Sequence, residues 1–188
     1  NMQQQPILTA GEVLEILEKE ALVHDESLSN DLKAIAKSHK LAFGRIDDPD
    51  LAVPLLNYCA TYLRNKGIYV YFQIEEDGRS YVFIAGECGR VIEEVGKLAD
   101  YLHDIWWFIE TNKHKLPSEV VAEKEKLDVY ETRLCEEVYF DLLDAYINND
   151  KATIEAVLKE VPKLVAEVND YLESIRYLQR IYWFEKSL

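Results

Sequence analysis

Ile154, Val157, Val161, Leu164, Val168, Tyr171, Ile175, Leu178 and Tyr182 recur in alternating steps of three and four, and no other feature narrows the fold of this chain as much. That spacing is one face of an α-helix held over many turns, so the C-terminal part is predicted to be an amphipathic helix that buries one stripe. The register passes through Pro162 without a shift. Proline removes a helical hydrogen bond, so a kinked helix or two nearly collinear pieces are expected there, and no change of direction.

Two upstream segments carry the same kind of stripe. Ile92, Val95, Ala99, Leu102, Trp106 and Ile109 line a helix expected from Gly89 to about Asn112. Leu127, Tyr130, Leu134, Val138 and Leu142 line another, expected from about Ser118, a candidate N-cap, to Ile147. Asn148-Asn149-Asp150 is a tight polar connection in which Asp150 can cap the last helix. Short loops make neighbouring helices antiparallel, so a C-terminal up-down-up three-helix bundle follows.

The N-terminal half is punctuated differently. Helices are expected from Thr9 or Ala10 to about Val23, from Ser29 to Phe43 ending near Gly44, and from Asp48-Pro49 to Lys66, with Gly67 as C-cap and a bend at Pro54. After Gly67 the hydrophobic period falls to two: Ile68, Val70, Phe72 and Ile74 alternate with Tyr69, Tyr71, Gln73 and Glu75. Asp77-Gly78 is a type I′ turn signal, so a β-hairpin over about 68–76 and 79–86 is predicted, with Ile74 opposite Tyr81, Phe72 opposite Phe83 and Val70 opposite Ala85. Leu41 to Ile46 is the one other stretch able to add a third strand, against the helical reading preferred for most of it. The fold class is therefore mainly α, α+β by strict count, with about six helices and one hairpin. It is read as a single domain, 1–188, divisible into 1–88 and 89–188.

Composition sets the limits on function. With 188 residues of which 48% are hydrophobic, the chain has enough apolar material for a core. Its 35 Asp and Glu against 21 Lys and Arg give a net charge of −14, the wrong sign for direct nucleic-acid or anionic-membrane binding. No apolar run reaches the roughly 18 residues of a membrane span, and Asn1-Met2-Gln3-Gln4-Gln5 lacks the features of a signal peptide. Cys59, Cys88 and Cys135 are odd in number and form no C-x-x-C pair, as expected of reduced thiols in a cytoplasmic protein.

Chemistry-bearing constellations are sparse. Asp100, His103 and Asp104 share one helix at a spacing that metal-binding bundles use, yet no second such pair occurs and the apolar stripe turns the two carboxylates outward. The rows Glu12-Glu15-Glu18 and Glu167-Asp170-Glu173 allow magnesium binding but lie opposite apolar stripes. In Ala85-Gly86-Glu87-Cys88-Gly89-Arg90 a strand runs into a helix, a place where free amides can hold an anion and activate Cys88, although Glu87 opposes both. No catalytic residues, metal or cofactor are expected.

Aromatic residues carry more weight. Trp106-Trp107-Phe108 and Tyr182-Trp183-Phe184 fall at the same end of the expected bundle, and one stripe cannot bury both sets. Trp107, Tyr177, Ile181, Trp183 and Phe184 are thus the candidate interface for a partner or a second copy. The expectation is an intracellular interaction or regulatory protein, non-catalytic and homo-oligomeric, with an unknown protein partner. The alternatives are a small metal-dependent hydrolase or metal-binding protein, and an acidic decoy for a basic nucleic-acid-binding protein, the last because residues 119–144 hold nine acids against Lys124, Lys126 and Arg133.

Overall fold

The architecture is mostly helical with one small antiparallel sheet. The computed structural model describes residues 4–21, 30–31, 34, 41–178 and 180. In chain order, α1 spans Ala10–Ile16 and continues as a π-helical turn, Leu17–Ala21; then come β1 (Phe43–Arg45), α2 (Pro49–Asn65), β2 (Val70–Ile74), β3 (Ser80–Ala85) and α3 (Gly86–Asn112). They are followed by α4 (Ser118–Val121), α5 (Glu123–Arg133), a π-helical segment (Leu134–Phe140), α6 (Asp141–Ile147) and α7 (Lys151–Ser174). Among the described residues no helix is long and apolar enough to cross a membrane.

The chain forms two compact units, Asn1–Glu93 with Leu142–Glu155, and Glu94–Asp141 with Ala156–Leu188. The first holds the sheet, ordered β1-β3-β2. The hairpin register is the one expected from the period-two pattern: Val70 faces Ala85, Phe72 faces Phe83 and Ile74 faces Tyr81. The strands are shorter than expected, and the ladder ends where the Glu75 amide donates to the Ser80 carbonyl at 2.8 Å. The turn is not type I′, which needs positive φ at both central residues. Of these two only Gly78 has positive φ, +72°, and the Asp77 carboxylate accepts the amides of Arg79 and Ser80.

A third strand corrects the C-terminal end of the helix expected from Ser29 to Phe43, most of which lies outside the described residues. Phe43 and Arg45 pair with Val82 and Ser80, and the Phe83 amide donates to the Ala42 carbonyl at 2.5 Å. β3 thereby becomes the central strand, buried from Tyr81 to Ala85 on both faces. A fully apolar strand is what a central position demands. Helix α1 packs on β3 and α2 on β2. The latter runs unbroken through Pro54, with Asp48 at its N-cap position but no side-chain cap.

In the second unit three helical segments run antiparallel in turn. Glu110 and Trp106 meet Lys124, His103 meets Glu131, and Gly96 leaves room for the Tyr139 ring 3.5 Å from where a Cβ would stand. On the other side Tyr171 donates to Glu123 at 2.7 Å and Arg133 pairs with Glu167 at 2.5 Å. This is the up-down-up arrangement expected from short loops. The segment 118–147 is helical but interrupted at Ala122 and widened into a π-helix at Leu134–Phe140, and Pro117, not Ser118, occupies its N-cap position. Asp150 caps α7 as expected, accepting the Thr153 amide and hydroxyl, and α7 continues through Pro162 to Ser174.

Candidate interaction surface

α3 turns its stripe inward through Ala99, Leu102, Ile105 and Ile109. Ile105 takes the core place expected of Trp106. The Trp106 ring is instead half-buried between two polar groups, stacked on His103 (centroids 5.9 Å apart, planes at 11°), with the Lys124 ammonium 5.4 Å from its centroid. Lys124 also pairs with Glu110, which Lys113 pairs with too, and these two ammonium groups hold the Glu110 carboxyl below its ordinary range.

The metal-ligand candidates of the sequence lie on the same helix. His103 Nδ1 lies 3.2 Å from the Glu131 carboxylate on the neighbouring helix, a contact between helices, while Asp100 and Asp104 are exposed. Among the described residues no group of three or more His, Cys, Asp and Glu is disposed to hold a metal ion. Three of the six carboxylates in the acidic rows form ion pairs: Glu12 with Lys151, Glu167 with Arg133, and Glu173 with Arg176.

The junction before α3 offers no anion site either. The helix starts at Gly86, earlier than expected, and its first amides are used: Gly86 donates to Tyr69 at 2.7 Å and Glu87 to Pro6 at 2.9 Å. Arg90 pairs with Glu87, and Cys88 is buried beside it. Burial, with the Glu87 charge adding to it, pushes the Cys88 thiol up to about 12, the reverse of an activated nucleophile.

What remains on the second unit is exposed apolar surface. Trp107 is 57% exposed, although its ring lies 6.0 Å from that of Trp106, and Tyr177 is 49% exposed. Ile181, Trp183 and Phe184 of the expected interface lie outside the described residues. Sequence reading missed Phe140, 52% exposed at the end of the π-helical segment. Phe140 belongs to none of the three-and-four stripes, and the stripe beside it, Leu134, Val138 and Leu142, is buried as expected.

The π-helical segment and α7 also enclose a groove of about 460 Å³. Val138, Val157 and Leu164 give it an apolar lining, and Arg133 spans it between Glu137 and Glu167. The described part of the second unit thus presents a mostly exposed tryptophan and, separately, an apolar groove with charged sides.

No protein-family model, curated protein or solved structure matches this chain.

Proposed function

We propose that the chain is an interaction protein that works by surface recognition and performs no chemistry of its own, with Trp107 and Tyr177 as anchors for a protein partner. The observation that carries this reading is the exposure of Trp107: tryptophan is the side chain most enriched in the energetic centres of interfaces, and solvent exposure of its ring is costly. The test is affinity capture from source-cell extract with the wild-type chain and with Trp107→Ala/Tyr177→Ala as baits of equal circular dichroism. A partner retained by the first and lost by the second supports the reading. Equal retention by both overturns it.

An acidic-decoy reading draws on one observation. In residues 119–144, Glu119, Glu125, Asp128, Glu136, Asp141 and Asp144 are exposed, while of the three cations Lys124 and Arg133 are committed to ion pairs and Lys126 is exposed. Binding that falls steeply with salt and with charge reversal at Asp128 and Glu136 supports it; salt-independent binding overturns it.

A further inference from the structure

β2 is an edge strand whose outer side is built to pair. In an antiparallel ladder, alternate residues direct both N–H and C=O to the same side. Tyr69 accepts from Gly86 and Glu75 donates to Ser80, so the odd-numbered residues of the strand serve β3, and Val70, Phe72 and Ile74 direct their backbone groups to the outer edge. Among the described residues no strand pairs there. The strand Val70-Tyr71-Phe72-Gln73-Ile74 has no charge and no proline, the two devices that commonly guard an edge. Among the described residues Arg64 guards it, its Nη2 donating to the Val70 carbonyl at 2.8 Å.

We propose that this edge pairs antiparallel with the same edge of a second copy, about a two-fold axis at Phe72. Phe72 then faces Phe72 of the second copy and Val70 faces Ile74, each pair exchanging N–H···O=C bonds on the side away from β3. Charge selects this occupant. Arg64 and Lys66 precede the strand and Glu75, Glu76 and Asp77 follow it, all five exposed, and with Arg79 in the turn the far end still carries three acids against one base. The two-fold sets the basic end of each strand beside the acidic end of the other, whereas a parallel pairing stacks acid on acid in a chain of net charge −14. On pairing, Arg64 yields the Val70 carbonyl to the Ile74 amide of the second copy and turns to the acidic end. The joined sheet has six strands, with β1 of each copy at its rims. This interface is separate from the Trp107 surface and stands without it.

Sedimentation equilibrium of the full chain at about 1–100 μM, a range that brackets ordinary dimer affinities, tests the pairing. The wild type is expected to be a dimer. Phe72→Pro removes an outer donor while sparing the Tyr71 and Gln73 bonds to β3, and should raise the dimer dissociation constant about tenfold or more. Should that variant lose its native circular dichroism, the exposed charges decide the matter. Glu75→Lys/Glu76→Lys should weaken the dimer, and adding Arg64→Glu/Lys66→Glu should restore it. A monomeric wild type, or dimer strength that ignores both charge variants, overturns the proposal; so does a dimer abolished by Trp107→Ala/Tyr177→Ala alone.

Discussion

The Tyr146 hydroxyl accepts the Ala85 amide at 3.2 Å, with both residues buried at the point where β3 gives way to α3. Burial pushes the Tyr146 phenol upward from its ordinary value, so it stays protonated throughout the working range. It serves as the partner of a backbone donor that the sheet leaves over.

Tyr146→Phe strands that amide and should cost about 1–3 kcal/mol, read as a lower urea midpoint at unchanged m-value. Tyr81→Phe is the control. The Tyr81 hydroxyl is buried with no partner among the described residues, so its removal should cost less than the Tyr146 change or raise the midpoint. The reverse order would contradict the assignment.

Gly89 lies where α3 crosses the end of β3, and a Cβ there would collide with the Ile84 carbonyl, which is backbone and cannot rotate away. Gly89→Ala should therefore destabilise by about 1–3 kcal/mol or more. At Gly78 a Cβ meets open space, so Gly78→Ala should cost only the strain of its φ of +72°, about 1 kcal/mol. Thermal melts of the two variants should keep that order.

Asp77 organises the hairpin turn, and the amides of Ser80 and Arg79 hold its carboxyl down at about 2. A carboxyl lowered in the folded state contributes stability above its unfolded pKa of about 4 and loses it as pH falls toward 2. The wild type should lose stability across that window, and Asp77→Ala should lose less, measured as melting temperature against pH. Parallel pH profiles would remove Asp77 from the turn's electrostatics.

Burial pushes the thiols of Cys59 and Cys88 up to about 12, so neither is expected to react with a disulfide reagent near pH 8 in the native protein. Cys135 is only partly buried, and burial and its acidic neighbours raise its pKa as well, so it should be the one native thiol to react, and slowly. Denaturant should release all three.

Much of this fold was legible along the chain because its signals are local. The alternation from Val70 to Ile74 and a turn of the right length determine which residues face one another, whatever the turn type, so the cross-strand pairs of the hairpin follow from the sequence. Helix stripes likewise locate Leu102, Leu134, Val138 and Val168 inside. The candidate surface was legible in part: a second aromatic beside a core position has nowhere to go but outward, which is the case for Trp107.

The tertiary structure decided whatever depends on a neighbour distant in sequence. β1 is three residues long and has no period to read; it is a strand only because β3 offers it an edge. Trp106 left the core because Lys124 and His103 receive its ring while Ile105 fills the seam. His103 turned to Glu131 for the same reason, since an interhelical partner lies outside any spacing rule. Sequence by itself determined the periods and their breaks, because these are properties of one backbone segment. Which face of each segment meets which neighbour is a contest between packing partners, and only the folded chain holds it.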